Sequence, residues 1–278
     1  MRCGFIFTNF NNSEYTIAAI ESIFACDWDV LPDVVVVDND SDAADKKALA
    51  EISKISNNIS IIYNDRNVGY FSGLNDGLSA LPRYEADYSA VIIGNNDLLF
   101  DDKFPEQLNS ISKILQDYPV VAPDIVTLDG DHQNPHVLVE PTRAREFLWD
   151  LYYSYYWIAR LMGHIARITR RFSGRTDHQV WDQSGEILQG YGACYILGPI
   201  FFNRLRRLYS PTFLMGEEYF LQYQLEEIGY RTFYDPRIRV YHVDHASTGL
   251  VSNKVIWNYG KIAHKKYRAL SSRIKVSD

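Results

Sequence analysis

The sequence predicts an α/β fold with a mostly parallel central sheet flanked by helices. Through the first hundred residues, short apolar segments rich in β-branched side chains alternate with segments of helical periodicity. One of these segments, residues 34–37, is an unbroken run of valine, which is typical of a strand covered on both faces. The chain has 278 residues, of which 46% are hydrophobic, enough for a large core.

The individual elements follow from these two periodicities. The predicted strands are residues 5–7, 34–37, 59–63 and 88–93, and the predicted helices between them are residues 17–25, 45–55 and 73–81. Ser13 is the predicted cap of the first helix, and Asp40 and Asp42 are the predicted caps of the second. Strands and helices alternating at this spacing indicate βαβ units.

Composition excludes several classes of protein. The net charge of −7 argues against a general nucleic-acid binder. The three cysteines are widely spaced, form no zinc pattern and indicate a reducing compartment. The first residues form a strand-like run without the layout of a signal peptide, and no stretch of 18 apolar residues could span a membrane. We therefore expect a cytoplasmic protein.

Short polar side chains follow all four predicted strands. They include Thr8 after the first strand, Asp38 after the second, Asn67 after the third and residues 95–97 after the fourth. One such end would be an ordinary turn. Four ends on one edge of a parallel sheet predict a site for a polar ligand. The chain has neither a GxGxxG motif nor a Walker loop, which argues against a dinucleotide or P-loop site.

The same segments resemble a known family. Residues 8–11, 36–41, 67–70 and 94–97 resemble the nucleotide-sugar half of family 2 glycosyltransferases, and the nearest resemblance is to the rhamnosyltransferase and galactofuranosyltransferase-like branch. The resemblance covers most of the chain except the region near 130–185. It implies the GT-A fold and an inverting transfer of a hexosyl or deoxyhexosyl group from a UDP- or dTDP-linked sugar to a saccharide hydroxyl. It also implies a place in cell-surface polysaccharide or glycolipid synthesis.

The resemblance assigns the donor to residues at the strand ends. It places Asp38, with Thr8 beside it, at the nucleobase, and it places Asn67 and Gly69 where the chain passes near the donor. A glycine at position 69 would let the backbone approach closely. Asn95 and Asn96 are expected to bind ribose or sugar.

The resemblance also implies a divalent metal, Mn²⁺ or Mg²⁺, held by Asp97 and His242. Asp97 is the one carboxylate left in the family's DxD turn, because Asn95 replaces the first acid. His242 matches the family's late histidine, Ser247 matches its serine, and His245 stands at its usual glycine. From the residues alone, the favoured interpretation of His242 is a partly buried strand residue with a backbone partner.

An acidic pair, Glu217 and Glu218, precedes a helical pattern that ends at Gly229. From composition alone, such acids often only complement the helix dipole. The family places its catalytic base at the second position of this pair, which implies Glu218 as the base. Glu217 would then contact the acceptor or serve as the second candidate for the base.

Residues 143–175 carry seven arginines and no lysine, beside a cluster of aromatic residues. On a helix, one stripe contains Trp157, Leu161, Ile165, Ile168 and Phe172, and an adjacent stripe contains Arg160, His164, Arg167 and Arg171. Two interpretations stay open: contact with a membrane surface, and a helical hairpin that packs on the domain or on a second subunit. A basic C-terminal segment and a lipid-linked acceptor would suit the first.

These observations give a single GT-A domain with four parts. Residues 1–125 would bind the nucleotide sugar, 126–185 would form a helical insertion, 186–250 would carry the base and the acceptor site, and 251–278 would form a basic helix. Two other functions stay open. One is a sugar-1-phosphate nucleotidyltransferase, and the other is an inactive saccharide-binding relative that has lost the first acid of the DxD turn.

Overall fold

A computed structural model describes residues 1–82, 88–169, 180–244 and 253–274, with the side chains of 166–169 and 272–274 excepted. Several predicted features lie outside the described part of the chain. They are His245, Ser247, the side chains of Arg167 and Ile168, and the whole of Arg171 and Phe172.

Residues 1–95 alternate strands and helices as the sequence predicts. We call this region the donor half, because the resemblance places the donor there. Its elements are β1 (Cys3–Asn9), α1 (Ser13–Ala25), β2 (Asp33–Asp38), α2 (Ala43–Ile52), β3 (Ile59–Tyr63), α3 (Tyr70–Ala80) and β4 (Ala90–Asn95). The prediction of Ser13 as a cap is wrong, because Asn12 holds that position and Ser13 begins the helix. The prediction for Asp42 is confirmed, since its side chain accepts a hydrogen bond from the Asp45 N–H.

The remaining elements complete the sheet and add helices. They are β5 (Leu98–Leu99), α4 (Phe104–Ser110), α5 (Ser112–Asp117), β6 (Val120–Thr127), α6 (Arg143–Ser154), α7 (Tyr156–Thr169), β7 (Gly185–Ile187), β8 (Cys194–Leu197), α8 (Pro199–Arg204), α9 (Glu217–Glu226), β9 (Thr232–His242) and α10 (Asn253–Ile274). Among the described residues, no helix is both long enough and apolar enough to cross a membrane.

All the strands belong to one sheet, ordered β3-β2-β1-β4-β8-β6-β9-β5, with β7 beside β9. The four strands of the donor half pair in parallel. Beyond them the sheet is mixed, because β8 runs antiparallel to both β4 and β6. Neighbouring residues of β1 face opposite sides, and each meets a buried apolar cluster: Phe5 and Phe7 lie on one face and Ile6 on the other. The sheet is therefore covered on both faces.

The helical insertion consists of α6 and α7, with α10 packed against α6. Two basic side chains of α10 contribute to this packing. The Lys261 ammonium donates to the Ser154 carbonyl, and the Arg268 guanidinium pairs with the carboxylates of Glu146 and Asp150. The last helix thus forms one unit with the insertion, although the two are far apart in sequence.

Candidate active site

The polar strand ends converge at one edge, as predicted. In the parallel register, Thr8 lies beside Asn95 across β1 and β4, and Asn9 lies beside Asp38 across β1 and β2. The loop that carries Asn67 follows β3 at the same edge. This edge faces the crevice where open α/β sheets bind their ligands.

Two predicted donor residues have buried side chains that already have hydrogen-bond partners within the protein. Asp38 is fully buried, and its carboxylate accepts hydrogen bonds from the Asn9 side-chain amide at 3.0 Å and from the Ser41 N–H at 3.1 Å. The Asn96 side-chain amide donates to Thr16 Oγ1 at 2.7 Å and to Asn12 Oδ1 at 2.8 Å. Both side chains therefore belong to a buried polar network that ties the strand ends to α1.

Asn67 and Gly69 shape the loop before α3. Asn67 Oδ1 accepts from the Gly69 N–H at 3.0 Å, and Gly69 has a φ of +90°, which a side chain would disfavour. A β-carbon at Gly69 would lie 2.1 Å from the carbonyl oxygen of Phe213. The close approach at this glycine is therefore to the chain's own backbone. It anchors the segment that leads into α9 against the donor half.

Asp97 and His242 meet because β5 pairs antiparallel with β9. Leu98 is opposite His242 in this register, and the Asp97 carbonyl accepts from the Val243 N–H. His242 Nε2 lies 3.2 Å from Asp97 Oδ1, and both side chains are almost fully buried. The structure brings these two predicted metal ligands together across 145 positions of sequence.

The hydrogen bonds of this pair suit a cation. His242 Nδ1 lies 2.7 Å from the Gln133 side-chain oxygen, an acceptor, so Nδ1 carries the proton in the neutral ring. The lone pair on Nε2 then lies 3.3 Å from the Asn95 side-chain nitrogen, which can donate to it, and 3.2 Å from Asp97 Oδ1, which receives no hydrogen bond from any described residue. An orphaned carboxylate oxygen beside an imidazole lone pair fits a divalent ion. The described residues contain no cluster of three or more His, Cys, Asp or Glu side chains that could hold a metal.

One short loop, residues 190–193, joins this edge to the acidic pair. The Ala193 carbonyl accepts from the Asn95 N–H at 2.9 Å, and the Gly192 N–H donates to Glu218 Oε1 at 3.2 Å. The Tyr70 hydroxyl donates to the Gly192 carbonyl at 2.8 Å. Burial keeps the pKa of Tyr70 well above its ordinary value, so this hydroxyl keeps its proton and remains a donor. The loop therefore holds Glu218 at a set position relative to Asn95.

The two glutamates begin α9, after Gly216 at the cap, but they face different surroundings. Burial, and secondarily the adjacent Glu218 charge, raises the pKa of Glu217 to about 8. Burial also raises the pKa of Glu218, and the hydrogen bond from Gly192 opposes part of that shift. Glu218 lines an open cavity of about 340 Å³, whereas Glu217 does not line it and is almost fully buried.

Two cavities flank the joining loop. A polar cleft of about 540 Å³ is lined by Gln133, His136, Tyr191 and Asp244, among others. The cavity that contains Glu218, which we call the aromatic chamber, is walled by side chains of α6, α9 and α10 and by residues 136–141. His136 lines both cavities, so they adjoin. The cleft beside Gln133, the hydrogen-bond partner of His242, therefore borders the chamber that contains Glu218.

Sequence analysis missed three residues of this site. Gln133 orients His242, Tyr70 supports the loop that holds Glu218, and Asn9 links Asp38 to the buried network. Tyr70 and Asn9 lie within the segments 67–70 and 8–11 that resemble the family, so the sequence could have indicated both. Nothing near Gln133 in the sequence indicates its role.

Several solved structures share this architecture. GalNAc-T7 with UDP, GalNAc and Mn²⁺ is 14% identical with a TM-score of 0.58, over 87% of this chain and 43% of that one. Mannosyltransferase PcManGT from Pyrobaculum calidifontis, in complex with GDP-Man and Mn²⁺, is 15% identical with a TM-score of 0.52, over 87% and 56%. S. aureus TarS 1–349 is 12% identical with a TM-score of 0.50, over 87% and 60%.

The chain thus spans between two fifths and three fifths of the length of these structures. At these identities the similarity establishes the fold, which is GT-A. A search of curated proteins finds no match. The model of glycosyl transferase family 2 matches residues 5–173. This is more than half of the chain, and it includes all four polar strand ends. The chain belongs to glycosyl transferase family 2.

Proposed function

We propose that the protein is an inverting glycosyltransferase that moves a sugar from a UDP- or dTDP-linked donor to a saccharide hydroxyl. The observation that carries this proposal is the loop 190–193, which bonds to the strand end at Asn95 and to Glu218. A donor at the strand edge and a base in the adjoining chamber would then lie on opposite sides of one reacting carbon. A single displacement in that arrangement inverts the anomeric centre. The branch with rhamnosyl- and galactofuranosyltransferase-like enzymes is our preferred subgroup.

The donor would occupy the edge formed by Thr8, Asn67, Gly69 and Asn95. Thr8 and Asn95 are only partly buried there and keep surface toward the crevice. Asp38 and Asn96 support the donor site from below, because their side chains already have buried partners. At these two positions a nucleotide would therefore contact backbone groups.

Asp97 and His242 would hold the divalent ion on the donor diphosphate. The orphaned Asp97 oxygen and the lone pair of His242 support this assignment. When bound, Mn²⁺ or Mg²⁺ supplies positive charge that neutralises a diphosphate leaving group. Gln133 fixes the histidine tautomer. The Asn95 side-chain amide, whose Nδ2 lies 3.3 Å from His242 Nε2, would give up its contact with that lone pair when the ion binds.

Glu218 would take the proton from the acceptor hydroxyl. Its carboxylate lines the aromatic chamber, where an acceptor can reach it, and burial raises its pKa toward the range useful for a base at neutral pH. Glu217 is almost fully buried, and its raised pKa would favour a single negative charge on the pair. The structure therefore supports Glu218 over Glu217 as the base.

The division of labour along the chain remains part of the proposal. Residues 1–125 would bind the donor, 126–185 would form the insertion, 186–250 would carry the base, and 251–278 would close the acceptor side. The three cysteines are free and buried, which suits a reducing, cytoplasmic compartment. The family assignment favours transfer over nucleotidyl chemistry, and a turnover assay separates an active enzyme from a saccharide-binding relative.

An exposed apolar face on α7 supports contact with a membrane surface. Trp157, Leu161 and Ile165 are 65%, 53% and 52% exposed and lie at helical spacing on one side. Arg160 is exposed beside them. An apolar stripe next to a cationic one suits the interface of an anionic bilayer. A homodimer that buries the same stripe is the alternative.

Asp97→Ala should abolish the manganese-dependent part of nucleoside-diphosphate binding, because it removes the carboxylate at the proposed metal site. Titration calorimetry of UDP, dTDP and GDP with and without Mn²⁺ measures this. Asp102→Ala, at an exposed carboxylate nearby, should keep the metal dependence. Unchanged affinity and metal dependence in Asp97→Ala would show that the assignment is wrong.

Glu218→Gln should lower turnover by roughly 10² to 10⁴-fold, the usual contribution of a positioned base, with donor affinity nearly constant. The glutamine keeps size and hydrogen bonding but takes no proton. Wild-type turnover should rise with pH, because only the ionised carboxylate is a base and its pKa is raised. Near-normal turnover in Glu218→Gln with a dead Glu217→Gln would exchange the two roles.

Glu217→Gln should flatten the pH dependence of stability. The folded-state pKa of about 8 lies above the unfolded value near 4.3, so between them the folded chain holds a proton that the unfolded chain has released. Stability of the wild type should therefore fall as pH rises through this window, by up to about 1.4 kcal/mol per pH unit. Urea unfolding from pH 5 to pH 8 measures it, and Glu227→Gln, at the exposed C-terminal cap of the same helix, is the control. Parallel curves for wild type and Glu217→Gln would contradict the prediction.

Replacing Trp157, Leu161 and Ile165 together by Gln should weaken flotation with anionic liposomes by at least about fivefold, because the apolar face no longer inserts. Leu128→Gln, at a 64% exposed site elsewhere, is the control. A wild type that never floats but forms a concentration-dependent dimer, lost in the triple variant, would assign the face to a second subunit.

A further inference from the structure

We propose that Asn134 is a positioning residue for Glu218, acting beside Gln133, its neighbour in the chain, which orients His242. The inference rests on the proposed function, because it concerns how the base and the metal ligand of that function are held in place. It goes further by assigning a role in the site to a fully buried side chain and by tying two distant parts of the site to two adjacent residues.

Both residues are fastened to strand β6. The Gln133 N–H donates to the Ile125 carbonyl at 2.8 Å, and the Asn134 side-chain amide donates to the Pro123 carbonyl at 2.8 Å. Strand β6 lies inside the sheet, between β8 and β9. The two residues therefore have a rigid support that is itself paired with the strand carrying His242.

From this support the two side chains reach different parts of the site. The Gln133 side-chain oxygen lies 2.7 Å from His242 Nδ1, and Asn134 Oδ1 accepts from the Tyr191 N–H at 2.7 Å. The Asn134 amide can have only this orientation, because the Pro123 carbonyl can only accept and the Tyr191 N–H can only donate. Both ends of the buried amide are thus satisfied, each by one backbone group.

The bond to Tyr191 acts on the loop that holds the base. Tyr191 directly precedes Gly192, whose N–H donates to Glu218 Oε1 at 3.2 Å. A shift of Tyr191 would carry this N–H with it, because the two residues share one planar peptide unit. Asn134 therefore acts on Glu218 through the backbone of loop 190–193.

The other supports of this loop lie on the opposite side of that N–H. The Tyr70 hydroxyl bonds to the Gly192 carbonyl, and the Ala193 carbonyl accepts from the donor edge. Asn134 bonds at Tyr191, before the Gly192 N–H in the chain. Without Asn134 the loop would keep its later contacts, but the residue preceding the N–H would lose the bond that fixes it.

This arrangement has a measurable signature at Glu218. Burial raises the pKa of Glu218, and the hydrogen bond from Gly192 opposes part of that rise. A hydrogen bond to the ionised carboxylate stabilises it, so loss of the bond should move the titration to higher pH. The other titratable groups around Glu218 are unchanged in the variants below; they are Glu217, Tyr70, Tyr191, Tyr195, His136, Glu140, Arg145, Tyr153, Tyr219, His264 and Tyr267.

Asn134→Leu tests the role directly, because leucine has nearly the same shape and accepts no hydrogen bond. The midpoint of the Glu218 titration is measured by ¹³C NMR of glutamate-labelled protein, on the carboxyl signal that Glu218→Gln removes. It should rise by about half a pH unit or more. Asn134→Ala removes the same acceptor with a smaller side chain and should give the same direction of shift.

Asn75→Leu is the matched control for loss of a buried asparagine. Asn75 is also buried, and its side chain also donates to one backbone carbonyl and accepts from one backbone N–H, both of Leu208. It should leave the Glu218 midpoint unchanged. This control separates a local effect on the loop from a general loss of stability.

Gln133 should affect the other part of the site. Gln133→Met should weaken the manganese-dependent binding of UDP, dTDP or GDP by about tenfold in calorimetry, because the ring of a metal-binding histidine loses its partner. Gln133→Glu restores an acceptor and should restore binding. Gln107→Met is the control, since the Gln107 side-chain oxygen accepts from the Arg239 N–H on the same strand as His242. The Asn134 variants should keep the manganese dependence, and the Gln133→Met variant should keep the Glu218 midpoint.

An unmoved Glu218 midpoint in the folded Asn134 variants would overturn the inference, and so would an equal rise in Asn75→Leu. A midpoint shift together with lost manganese dependence in both Asn134→Leu and Gln133→Met would show general damage to the site and would also overturn it. If wild type binds no nucleoside diphosphate with Mn²⁺, the proposed function fails and takes the inference with it. Normal wild-type binding with an unmoved midpoint in the variants overturns the inference alone.

Discussion

A single backbone contact between two halves of the molecule sets the geometry of the site. The carbonyl of Ala193 accepts from the Asn95 N–H, and a β-carbon at Gly94 would lie only 2.4 Å from that carbonyl oxygen. The strand that ends the donor edge and the loop that holds Glu218 can therefore approach only because residue 94 has no side chain. If these two backbones separated, Glu218, the base in our proposal, would lose its fixed distance from the strand end at Asn95. The antiparallel pairing of β4 with β8 extends the same contact into the sheet.

The strand ends show how polar side chains can serve a site without lining it. Asn9, Asp38 and Asn96 are buried where an apolar core would be expected, and each has hydrogen-bond partners at short distance. Unpaired, such groups would cost stability, but as a satisfied network they stiffen the turns that follow β1, β2 and β4. The crevice above them thus has a rigid floor. A nucleotide bound there would not need to order these turns.

Local patterns predicted most of the donor half, and long-range pairing decided the rest. The third strand has the bounds that its sequence predicts, and the valine run is buried on both faces. The position of His242 beside Asp97 depends on β5 pairing with β9, which no periodicity near either residue reveals. Gly69 illustrates a different limit. The sequence predicted a close backbone approach at this glycine, but the partner that its missing side chain admits is Phe213, far along the chain. Likewise the docking of α10 on α6 depends on tertiary contacts, among them those of Trp149 with Tyr267 and of Tyr153 with His264.

Because of where α10 lies, substitutions that change the aromatic chamber are separate from substitutions that change the donor edge. The donor edge is built from residues that match the family model, whereas α10, which walls the aromatic chamber, lies beyond the matched region 5–173. Substitutions on the inner face of α10 would alter the shape of the chamber without touching a strand end or the network below it. If the chamber binds the acceptor, selectivity for the acceptor could therefore change in evolution while the donor edge stays the same.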